Sequence, residues 1–125
     1  MKTLRNLTRG TLVAARVEEA TRPLSRLKGL LGRAELGAGE ALLIAPCTSI
    51  HTFFMRFPID VIFLDGDGRA LRALEQLNPW RATRIYPRAA CAIELPAGAL
   101  RRSATREGDV LRLDFPGVSG QPAAV

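Results

Sequence analysis

The chain has 125 residues, 47% of them hydrophobic, and a net charge of +6. This length gives one domain with a core that needs no staple, and no apolar run approaches the roughly 18 residues of a membrane helix. The charge is dispersed, with no basic run, and the aromatics concentrate in the least basic third of the chain, so nucleic acid is disfavoured as a partner.

Residues 4–18 read as a hairpin or two short strands around Thr8-Arg9-Gly10, because Val13, Ala15 and Val17 alternate with polar or small neighbours. Arg5, Arg9 and Arg16 interrupt the N-terminus, so no leader is expected and the expected compartment is the cytoplasm. A helix is expected over about residues 22–32. Thr21 supplies its cap, Pro23 fits its first turn, and Leu24, Leu27, Leu30 and Leu31 form one apolar stripe. A short buried strand follows at 41–45, and the clearest strand is Ile59 to Leu64.

The run Asp65-Gly66-Asp67-Gly68 is a hairpin turn, with residues 69–77 as the returning strand. Residues 78–89 form a loop punctuated by Pro79 and Pro87. Cys91 to Leu95 is a strand stopped by Pro96, followed by a short turn or helix near 97–104. Residues 110–115 make the last strand, and 116–125 a flexible tail. The fold class is therefore α+β: one domain over 1–115, with a largely antiparallel sheet, curled or barrel-like, and one main helix packed on it.

The stretch "SIHTFFMRFPIDVIFLD", residues 49–65, holds the only histidine and four of the five phenylalanines. If residues 51–57 are extended, His51, Phe53, Met55 and Phe57 share one face. Asp60 shares a strand face with Ile62 and Leu64, and a carboxylate there needs a partner. Arg56 is the nearest candidate in sequence, and backbone amides are the alternative. Two readings follow. Asp60 holds a turn together, or His51, Met55, Arg56 and Asp60 line an apolar cleft for a small ligand or a protein partner.

Trp80, beside Arg81 and Arg84 in the loop, either extends that binding surface or plugs the end of the sheet. Glu94, between Ile93 and Leu95, is a second acid in an apolar strand and a further binding candidate. The enzyme alternative is a hydrolase or a metal-assisted reaction using Cys47, His51 and Asp60 as thiol, base and orienter. Cys47 and Cys91 lack any CxxC or paired Cys/His spacing, so no metal site and no cofactor are expected. A second alternative is weak nucleic-acid binding through dispersed Arg. The oligomeric expectation is a monomer or a small homo-oligomer.

Four segments in order, "IHTFFMRFPIDVIFLDGDGRAL", "NPW", "AIELPAG" and "EGDVLRL", together with the helix segment "RLKGLLGR", resemble the family called domain of unknown function 192. The resemblance runs from about Leu24 to Leu113. It implies a compact α+β domain with a curled sheet, and no established activity, cofactor or substrate. Many members look exported, and many carry an aromatic-Met-Lys-Asn-Thr run. Phe54-Met55-Arg56-Phe57-Pro58 keeps the Met and the basic residue of that run but not the Asn-Thr.

Overall fold

The structure, a computed structural model, describes residues 2–20 and 36–114. Seven strands and one short helix follow in chain order: β1 (Lys2–Asn6), β2 (Thr11–Ala20), β3 (Glu40–Ile44), β4 (Ile59–Leu64), β5 (Ala70–Leu77), β6 (Cys91–Pro96), α1 (Ala99–Arg102) and β7 (Leu111–Asp114). They form one sheet in the order β5-β4-β6-β3-β2-β1-β7. Only β2 and β3 run parallel; every other neighbouring pair is antiparallel.

The helix expected over residues 22–32 lies outside the described residues, as do Phe115 and the tail at 116–125. The described helix is the four-residue α1, within the expected 97–104 segment. Sheet dominates what is described, with helix a minor part. Pro96 ends β6 from inside the strand, still in register with Ile59. Asp65 builds the hairpin turn by accepting hydrogen bonds from the backbone N–H groups of Asp67 and Arg69. Gly68 supplies the left-handed residue that turn requires, at φ 83°.

The sheet curls until its two edges meet. Arg69 bridges Val110, the Ala70 N–H donates to the Asp109 carbonyl at 2.8 Å, and the Leu111 N–H donates to the Gly68 carbonyl at 2.8 Å. The result is a half-barrel closed at one end of β5 and β7. Strand β4 is buried on both faces, which is why it reads as an unbroken apolar run with one acid. Ile62 and Leu64 point inward with Leu43, Ile93, Leu95, Leu4, Leu111 and Leu100. Ile59, Val61 and Phe63 point outward and pack with Leu42, Ile44, Ile50 and Met55. The outward layer is covered by the loops that join β3 to β4 and β5 to β6, and the candidate surface lies on those loops.

Candidate functional site

The two covering loops, residues 45–58 and 78–90, pair with each other. Thr52 donates its N–H to the Arg81 carbonyl, Thr83 to Ile50, and Tyr86 to Thr48, each at 2.8 Å, and His51 bridges Ala82. Pro46, Pro58, Pro79 and Pro87 interrupt both segments. Proline has no N–H, so a regular ladder cannot run through them and the pair forms an irregular ribbon.

Thr52 ties the ribbon's end. It is fully buried. Its hydroxyl donates to the Asn78 carbonyl at 2.6 Å and accepts from the Arg81 N–H at 2.9 Å. Its carbonyl accepts from the N–H groups of Trp80 and Met55. Two turns close around this knot, and each carries an aromatic residue in the left-handed region, Phe54 at φ 66° and Trp80 at φ 64°. Such a conformation costs a non-glycine residue of order 1 kcal/mol or more, so the surrounding hydrogen bonds must impose it.

The turns bring four rings together. His51 stacks on Phe53 at 5.1 Å, Phe53 lies 6.1 Å from Trp80, and Phe54 lies 4.6 Å from Trp80. Phe54 remains 70% exposed and Trp80 56%. Water-facing rings in contact form an apolar patch on the ribbon. Trp80 therefore sits at the surface, and it does not plug the sheet.

The residues expected to share a cleft are distributed over three levels. His51 and Trp80 meet through Phe53 on the exposed ribbon, and Arg56 is exposed two residues beyond Phe54. Residues 51–57 do not meet the condition of an extended segment with His51, Phe53, Met55 and Phe57 on one face. The Met55 N–H closes a turn on the Thr52 carbonyl, and Met55 is buried in the outward core layer. Glu94 is buried at 2% exposure on β6, in register with Val61 and Leu42.

Asp60 faces the other way, into the half-barrel, at 0% exposure. Its carboxyl oxygens accept the N–H groups of Gln76 at 2.8 Å, Leu100 at 3.0 Å and Gly98 at 3.1 Å. Arg56 is not its partner. The Gln76 contact depends on a bulge: Ile59 pairs with Leu77 but Val61 pairs with Leu74, so β5 carries one extra residue there. Gln76 takes φ 52° in that bulge. Asp60 thus fastens β5 and the start of α1 to β4, the structural reading of its position.

The same contacts leave a thiol–histidine–carboxylate arrangement unassembled. The Cys47 thiol donates to the Ser49 carbonyl at 3.0 Å. His51 Nδ1 accepts the Phe53 N–H, and Asp60 is held by backbone amides on the far side of β4. Burial pushes the Cys91 thiol up to about 11; Cys47 adds to this shift and a backbone hydrogen bond at Leu64 opposes it. Cys91 is thus a protonated core thiol at neutral pH. Among the described residues, no group of three or more His, Cys, Asp and Glu side chains could hold a metal ion.

Thr52, Phe53 and Phe54 were not among the candidate binding residues. Tandem phenylalanines inside a proline-bounded loop were the available signal, since a loop has little core in which to bury them.

The chain is 33% identical over 99 residues to a UPF0127 protein of Thermococcus sibiricus, covering 76% of this chain and 64% of that relative's length. It is 31% identical over 110 residues to a UPF0127 protein of Thermococcus kodakarensis, covering 85% of this chain and 69% of the relative. The fold is similar to that of a protein of unknown function from Novosphingobium aromaticivorans. That match has a TM-score of 0.75 at 23% identity and covers 88% of this chain and 81% of the other. The model of the family described as "Uncharacterized ACR, COG1430" matches residues 4–113, and the chain belongs to that family, DUF192.

Proposed function

We propose that this domain is a non-catalytic binding module whose contact surface is the ribbon face carrying His51, Phe53, Phe54 and Trp80, flanked by Arg56. The occupant presents a flat or apolar face to these rings. Met55, Asp60 and Glu94 are buried and belong to the scaffold on which the rings stand. One observation carries the reading: exposed aromatic rings held at two left-handed, non-glycine turns by a fully buried threonine. A fold selected for stability alone would place glycine at those turns and keep such rings covered.

The test is a thermal-shift screen of metals, sugars, nucleotides and short peptides, run on wild type and on Phe54→Gly and His51→Ala. A compound binding the native state raises its melting point. The expected result is a compound that stabilises wild type but neither variant. A compound that stabilises all three equally would place the site elsewhere and overturn the reading.

A further inference from the structure

The two loops differ from the rest of the surface in charge as well as in rings. Residues 45–58 and 78–90 contain Arg56, Arg81, Arg84 and Arg88, and no Asp or Glu. All four arginines are exposed. Elsewhere five of the nine described arginines meet carboxylates, Arg5 and Arg112 with Asp114, Arg9 with Asp109, Arg72 with Glu107, and Arg101 with Glu75, while Arg16, Arg69, Arg102 and Arg106 form no ion pair among the described residues. The four on the ribbon form no ion pair among the described residues. They are also strung out. Arg81 adjoins Trp80 at the ring end, and Arg84 and Arg88 lie further along, past the Thr83–Ile50 and Tyr86–Thr48 hydrogen bonds.

Resting on the binding reading above, we infer that the occupant of this face is single-stranded nucleic acid, with bases against Phe54 and Trp80 and phosphates along Arg81, Arg84 and Arg88. Exposed rings on a loop pair that carries four arginines and no acid match a polymer that alternates planar bases with anions. An acidic protein would satisfy the arginines, but its planar side chains do not repeat in step with its carboxylates as bases do with phosphates. A single small anion would use one arginine and leave the other three unexplained. Dispersal of charge along the sequence gave no hint of this, because the fold lays the aromatic turn at 52–54 against the Arg-bearing loop.

Trp80 is the only tryptophan, so its emission reports directly on the site. The experiment titrates wild type with (dT)12 and (rU)12 at about 50 mM salt, following Trp80 quenching and probe anisotropy. Both oligonucleotides should quench Trp80. Phe54→Gly should weaken binding about tenfold, from the loss of one stacking ring. The salt dependence should have a log–log slope of about −2, and Arg84→Ala should lower its magnitude by about 0.7. Arg101→Ala, a charge-matched control outside the ribbon, should change neither affinity nor slope.

Three outcomes overturn the proposal: no quenching in wild type, equal losses in Arg84→Ala and Arg101→Ala, or ring-dependent binding of poly-glutamate without binding of (dT)12. If the oligonucleotides fail while another compound from the thermal screen binds in a Phe54-dependent way, the nucleic-acid class falls and the binding surface stands. If no compound depends on Phe54, both fall.

Discussion

Phe54 separates a structural reading from a functional one at the level of a single residue. It sits at φ 66° with its ring mostly in water. Glycine adopts that conformation without strain, at a cost of roughly 0.5–1 kcal/mol in unfolded-chain entropy, while relief of the left-handed strain returns about 1 kcal/mol or more. Phe54→Gly is therefore expected to leave folding stability unchanged or raise it by up to about 1 kcal/mol in urea unfolding. A loss beyond about 2 kcal/mol would mean the ring is part of the core, and the binding surface would lose its main support. Asp60 gives the contrasting lesson. Its need for partners was legible from one carboxyl group in an apolar strand. Their identity was not, because the three amides lie 16, 38 and 40 residues away and belong to a bulge and a helix start. Side-chain composition does not encode which backbone N–H groups a fold will turn inward.

The strands were readable because alternation and β-branched content report burial directly, and the Asp65–Gly68 turn because its chemistry is local. The ribbon was not readable as an element. Its hydrogen bonds join segments about 30 residues apart, and its prolines erase the periodicity that would announce a strand. His51 and Trp80 could be singled out separately, yet only the pairing of Thr52 with Arg81 brings them together. Thr52→Val tests that dependence. Valine keeps the shape but removes the hydroxyl, leaving the Asn78 carbonyl and the Arg81 N–H without that partner in a buried setting, at a cost of about 1–3 kcal/mol. Hydrogen exchange should show the loss concentrated in the ribbon. The amides of Trp80 and Thr83 should exchange faster than in wild type, and those of β4 and β6 should keep their order of protection. Uniform acceleration across the sheet would show that the loops are part of one cooperative unit with the half-barrel, with no separate positioning role for Thr52.

On the scale of the whole molecule, the half-barrel depends on how its ends are fastened, and Asp109 is a main fastening. It is buried beside the seam where β5 meets β7. One carboxyl oxygen accepts from the Asn6 side chain at 2.9 Å, the Arg106 N–H at 2.9 Å and the Arg9 guanidinium at 3.1 Å. It thus ties the β1–β2 turn to the segment entering β7. Burial by itself would raise its pKa, but the hydrogen bonds from Asn6, Arg106 and Arg9 and the Arg9 charge outweigh it and hold the group below the ordinary 3.8. The sign of the pH dependence follows. A carboxyl group with a depressed folded pKa favours the native state wherever it is ionised in both states, and that contribution disappears as the pH falls through the folded value. Asp109→Asn removes the charge but preserves the size. Its unfolding free energy should lie below that of wild type at pH 7, and the gap should be constant down to about pH 5 and then narrow below about pH 4. Urea unfolding of both proteins between pH 7 and pH 3 reads this directly. A gap that holds its full size at pH 3 would mean that the asparagine is tolerated poorly for reasons of geometry, and that the ionised carboxylate is not what clasps the ends of the sheet.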